Sequence, residues 1–86
     1  MILRFTKSSL KRNFSKAEIR HVMLTSQRSL IGYSSEGYEK YSWVGRTRTR
    51  IELEIIAINF EEFLLVIHVM PTSYRRKERR NGAGLW

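Results

Sequence analysis

His68 stands in the middle of an apolar run, "LLVIHVM" (64–70), which halts at Pro71 and opens into "TSYRRKERR". A buried strand needs no imidazole, whereas a side chain that exchanges protons near neutral pH suits acid–base chemistry. Glu52 and Glu54 lie two positions apart in "RIELEIIAIN" (50–59), and Arg46 and Arg48 sit just upstream in "WVGRTR". Metal-free cleavage of RNA needs a base for the 2′-hydroxyl proton, an acid for the leaving 5′-oxygen, and cations for the charge on phosphorus. Glu52 or Glu54, His68 and Arg46 supply those parts as candidate catalytic residues. Arg48, with Arg75, Arg76 and Lys77 of the basic run, supplies candidate contacts to RNA phosphates. Each piece also has an ordinary structural use. A Glu–Arg pair on a sheet face is a common cross-strand ion pair, a lone His near a strand end commonly satisfies its neighbours, and "YRRKERR" reads equally as a solvated helix face or tail.

Placing these residues together requires strands in a definite register. Ile51, Leu53, Ile55 and Ala57 alternate along one candidate strand, and Phe63, Leu65, Ile67 and Val69 along the next. If both odd rows face the core, paired residue numbers sum to an even value, because a one-residue slip would turn a row to water. His68 is then expected opposite Glu52 or Glu54. By the same logic a hairpin turning at "RTRTR" puts Tyr41 and Trp43 on the core face beside Leu53, and Ser42, Val44, Arg46 and Arg48 on the face of Glu52, Glu54 and His68.

Upstream, Ser15 followed by Glu18 forms a capping box, and Ile19, Val22, Met23 and Ser26 share one helical face. A helix is expected from Lys16 to about Thr25, with Phe14 stapling its start. "TKSSLKRN" offers one or two further helical turns, and "ILRFT" (2–6) reads as a short edge strand or the lead into a helix. "RSLIGYS" (28–34) and "YEKYSWVG" (38–45) flank a turn at "SEG". Thr72 or Ser73 would cap a helix after Pro71. The expected fold is α+β in a single domain. A helical region (1–26) packs on one face of a three- to four-stranded antiparallel sheet (28–70), and a short basic segment (72–86) follows.

The chain has 86 residues, 16 Lys+Arg against eight acids, all Glu, a formal charge of +8, and no Cys. The charge favours a polyanionic partner, whether RNA, DNA or an acidic protein. The lack of Cys removes disulfide frameworks and thiolate metal sites, and the two His are isolated from each other, so no cofactor or metal is expected. Arg4, Lys7, Lys11 and Arg12 interrupt any signal-peptide core, and no apolar run spans a membrane, which fits a soluble, cytoplasmic protein. Tyr33, Tyr38 and Tyr74 could stack on bases or serve as half-buried strand residues. His21 reads as structural or exposed. The one Gly of "WVGRTR" excludes a phosphate-cradling loop of the Walker or dinucleotide type.

"FTKSSLKRNFSKAEIRHVM" and "YSWVGRTRTRIELEIIAINFEEFLLVIHVMPTSYRRKER" together resemble the BrnT-like toxins of bacterial toxin–antitoxin modules over nearly the whole chain. The resemblance implies a RelE- or barnase-like α+β fold and metal-independent ribonuclease activity that inhibits translation and growth. It also implies RNA as substrate, in association with the ribosome or free of it, and a cognate antitoxin as partner. By position, "VGR" corresponds to Arg46, the last strand to His68, and the basic segment to Arg75, Arg76 and Lys77. Two departures stand out: Ser8 or Ser9 where relatives often carry His, and Met70-Pro71 where they often carry Arg. The rival expectations are a non-catalytic nucleic-acid-binding module, in which His68 is incidental, and an interaction domain that docks an acidic partner.

Overall fold

The computed structural model describes residues 1–74, so Arg75, Arg76 and Lys77 lie outside the described residues. The chain is α+β: β1 (Leu3–Phe5), α1 (Lys7–Leu10), α2 (Lys16–Thr25), β2 (Arg28–Tyr33), β3 (Glu39–Arg46), β4 (Glu52–Asn59) and β5 (Leu64–Pro71). A further helical turn begins at Thr72–Tyr74. Among the described residues no helix is long and apolar enough to cross a membrane.

The limits of α2 follow from local chemistry. Ser15 Oγ accepts the Glu18 N–H at 3.0 Å and Glu18 Oε1 accepts the Ser15 N–H at 3.2 Å, which satisfies two donors that a helix start otherwise leaves open. At the other end the Thr25 and Ser26 hydroxyls donate to the His21 and Val22 carbonyls, at 2.7 and 2.6 Å. Thr6 caps α1 by accepting the Ser9 N–H. Its short run closes at Asn13, which takes the left-handed conformation (φ 63°) that Asn tolerates better than most residues.

The sheet has five strands in the order β1-β5-β4-β3-β2 and is mixed, not a three- or four-stranded antiparallel sheet. Strands β2 to β5 form an antiparallel meander, and β1 joins it parallel to β5, with Leu3 beside Leu64 and Phe5 beside Val66. The extra strand satisfies an edge that the meander leaves open. Leu64 N–H donates to the Ile2 carbonyl at 2.9 Å and Thr6 N–H to the Val66 carbonyl at 3.1 Å, while Leu3 and Phe5 pack against the core. "ILRFT" is too short for its own pattern to reveal that partner.

The parity of β3 on β4 is the expected one, with Arg46 facing Glu52, but the aromatics lie one pair further along than expected: Trp43 faces Ile55 and Tyr41 faces Ala57, while Leu53 faces Gly45. The register of β4 on β5 is not. Ile56 pairs with His68 and Ile55 with Val69, but Ala57 pairs with Val66, so a β-bulge inserts one residue around Ile67. His68 therefore lies opposite Ile56, not opposite Glu52 or Glu54. The core row of β5 is Val66 and Val69, with Leu64 partly buried against it, and the expected row of Phe63, Leu65 and Ile67 fails. The bulge changes parity midway, so a strict alternation along 63–69 assigns the first half of the strand to the wrong side.

The buried cluster joins Ile19, Val22 and Met23 of α2 to Tyr41, Trp43, Leu53, Ile55, Ala57, Val66 and Val69, with Leu10 and Phe14 packed against it. Burial pushes the Tyr41 phenol above its ordinary pKa, its bond to Glu39 adds to the shift, and the Arg28 guanidinium over its ring opposes it. Gly45, opposite Leu53, lets α2 approach β3 closely. A Cβ there would stand 2.9 Å from Ser26 Cβ and 3.3 Å from Val22 Cγ1. Gly45→Ala is therefore expected to cost about 1–3 kcal/mol by overpacking, read as a lower urea midpoint with an unchanged slope.

Candidate active site

Strands β3, β4 and β5 place Arg46, Glu52, Glu54 and His68 on the sheet face opposite the Trp43–Leu53–Ile55 row. Glu52 and Glu54 follow from strand alternation, and Arg46 from its pairing with Glu52. His68 reaches the group diagonally. Its Nε2 lies 3.2 Å from Glu54 Oε1, two positions along β4 from its direct partner, Ile56. The expected His–Glu juxtaposition thus arises from a different register than the one anticipated. Diagonal neighbours on a sheet lie within reach of long side chains.

The pair is partly buried, with side-chain exposures of 33% for His68 and 18% for Glu54. A carboxylate at this contact only accepts, so with a neutral ring the bond selects the tautomer that carries its proton on Nε2 and its lone pair on Nδ1. A ring held in that tautomer is a positioned base, and after protonation a positioned acid.

Glu52 has a separate structural tie: the Thr72 hydroxyl donates to its Oε1 at 2.6 Å. Thr72 and Ser73 are both already helical, so neither takes the N-cap place expected from sequence. Arg46, Arg50, Ile51, Glu52, Thr72 and Ser73 line a cleft of about 280 Å³ around the Glu52–Thr72 contact, and neither His68 nor Glu54 is part of its lining. Arg50 and Thr72 were not legible as members of this group. Arg50 occupies the left-handed region (φ 68°) at the end of the β3–β4 turn, and Thr72 arrives only through the shifted β4–β5 register.

Arg48 does not join the others. It lies beyond the end of β3 and lines a different cleft, with Lys16, Ala17, Arg20, His21 and Leu24 of α2. Ser9 is buried and its hydroxyl donates to the Thr6 carbonyl at 2.7 Å, which makes it part of the α1 turn. Ser8 is exposed and its hydroxyl donates to the Ile67 carbonyl at 3.4 Å, at the bulge next to His68. Of the tyrosines, Tyr38 packs on Phe60 with centroids 4.6 Å apart, Tyr74 lies under the Arg12 guanidinium at 4.9 Å, and Tyr33 is exposed on the edge strand β2.

Among the described residues no group of three or more His, Asp or Glu is placed to hold a metal ion. Compared with protein-family models, curated proteins and solved structures, the chain matches none.

Proposed function

We propose that this protein is a metal-independent endoribonuclease acting as the toxin of a toxin–antitoxin pair, with the α+β fold of the RelE or barnase kind. The observation that carries the reading is the His68–Glu54 pair, joined at 3.2 Å on a partly exposed sheet face that also carries Arg46. In this reading Nδ1 of His68 takes the 2′-hydroxyl proton of bound RNA, and the resulting oxyanion attacks the adjacent phosphorus. The 5′-oxygen leaves with a proton returned by the imidazolium, and Arg46 stabilises the charge on the phosphoryl oxygens. Glu54 keeps the ring oriented, and Glu52 anchors Thr72 beside Arg46. The formal charge of +8 supports a polyanionic substrate and an acidic antitoxin as partner in the bacterial cytoplasm.

Controlled expression in a bacterial host tests this directly. Growth is expected to stop, with fragmentation of total RNA visible on a gel within the period of arrest. Intact RNA and undisturbed growth, with folded wild-type protein in the soluble fraction, would sink the toxin reading. RNA bound but uncut by the purified protein would leave a nucleic-acid-binding module.

A further inference from the structure

The segment "RTRTR" (46–50) joins two clefts. Its threonines knit the turn: Thr47 is buried, its hydroxyl accepts the Ile51 N–H at 3.1 Å, and the hydroxyl of the exposed Thr49 lies 3.0 Å from it. Backbone bonds from Thr47 N–H to the Ile51 carbonyl and from Arg50 N–H to the Thr47 carbonyl, both 2.9 Å, close the loop. The three arginines are exposed and divided between two sides. Arg46 and Arg50 line the cleft around Glu52 and Thr72, whereas Arg48 lines the cleft along α2.

That second cleft, about 400 Å³, is bounded by a helical stripe of Ala17, Arg20, His21 and Leu24, with Lys16 at its end. These positions recur at the spacing that puts side chains on one helix face, away from the buried Ile19, Val22 and Met23. Among the described residues no ion pair joins Lys16, Arg20, His21 or Arg48 to an acid. Arg20 gives one N–H to the Met1 carbonyl at 2.8 Å, and Lys16 lies 5.5 Å from the Phe5 ring centroid. Their positive charge is thus held in place yet not neutralised. Leu24, 65% exposed, adds one apolar side chain to this cationic cleft.

We infer that the α2 cleft binds the phosphate backbone of single-stranded RNA, and that the 46–50 turn carries one strand across to it from the cleft around Glu52 and Thr72, at the end of the sheet face that bears His68. The inference rests on the ribonuclease reading for the identity of the strand. Arg48 is the pivot of the track, Lys16 and Arg20 extend it, and the site adds binding energy remote from the reacting phosphate. Single-stranded RNA is favoured over an acidic protein because the two clefts share a turn whose cations face both ways.

The test uses the full chain in a His68→Ala background, which prevents cutting, and a fluorescein-labelled single-stranded RNA of mixed sequence. Anisotropy is followed over a salt series for the parent and for the variant that adds Lys16→Gln and Arg48→Gln. Each lost phosphate contact should lower the slope of log K against log salt by about 0.7, so a drop of about 1.4 is expected, with affinity at low salt reduced at least about tenfold. Arg48→Glu, at an exposed position outside the core, is the second variant and should weaken binding by itself. A parent that binds RNA and folded variants that keep its slope would overturn the second cleft and leave the ribonuclease reading standing. No RNA binding by either wild type or parent would overturn both. A glutamate-rich peptide whose binding the variants lose, with RNA binding unchanged, would overturn the inference in favour of an acidic protein.

Discussion

On the proposed ribonuclease reading, purified His68→Ala protein is expected to cut RNA roughly 100- to 10,000-fold more slowly than wild type, the usual span for removing a positioned general acid or base. The argument rests on the ring's geometry. Nε2 lies 3.2 Å from Glu54 Oε1, so the nitrogen that the proposed mechanism leaves for substrate is Nδ1, and its orientation is set by a carboxylate on a neighbouring strand. Glu54→Gln keeps an acceptor for Nε2–H but removes the negative charge that stabilises the imidazolium, so its loss should be smaller than that of His68→Ala. The fold should survive, because His68 is one-third exposed and only a single side-chain bond is lost, a cost of about 1 kcal/mol. The pH–rate profile supplies an independent readout: the limb assigned to His68 should disappear in the variant. A folded variant that cuts within about threefold of wild type would remove His68 from the reaction.

Leu53→Ala should give the largest loss of stability, about 3–5 kcal/mol in urea unfolding followed by circular dichroism. Leu53 is completely buried and lies opposite Gly45, which has no side chain to move into a vacated space. The backbone at Gly45 is itself held close to Ser26 and Val22, so the helix has little room to settle inward. A site that cannot collapse incurs both the transfer term and the cavity term. Domains of this class commonly have about 5–15 kcal/mol in total, so the variant should approach the point at which the unfolded chain is populated at 37 °C. A loss under about 1 kcal/mol would show that β3 and α2 rearrange around the gap more readily than this packing implies.

The parts of the fold that depend on near neighbours were legible in sequence. The limits of α2 came from Ser15 and Glu18, and the β3–β4 parity from two apolar rows that had to face the same way. Both signals act over a few residues or across one tight turn. What sequence could not reveal depended on one extra residue or on distant pairing. The bulge at Ile67 leaves an apolar run apolar, so nothing in "LLVIHVM" marks where parity changes, and both the core row and the partner of His68 were misassigned. The proximity of His68 to Glu54 was nonetheless anticipated, because a diagonal contact can replace a direct one. Arg48 was grouped with Arg46 on alternation, but alternation lapses once the strand ends, and the turn sends Arg48 to the α2 side.

The parallel pairing of β1 with β5 gives the folding reaction a particular order of difficulty. Thr6 and Val66, which bond at the end of that pairing, are 60 residues apart in sequence. Each hairpin of the meander closes over a short turn, whereas bringing these two positions together carries a loop entropy of roughly 3–4 kcal/mol beyond the constant term. On a chain made from its N-terminus, β1 emerges first and waits for the strand it needs. Until β1 docks on it, β5 is an apolar strand with one bare edge of unpaired backbone groups, which is the surface most prone to wrong pairing between nascent molecules. Refolding yield at rising protein concentration should therefore respond more to changes at Leu3 and Phe5 than the small size of their strand suggests.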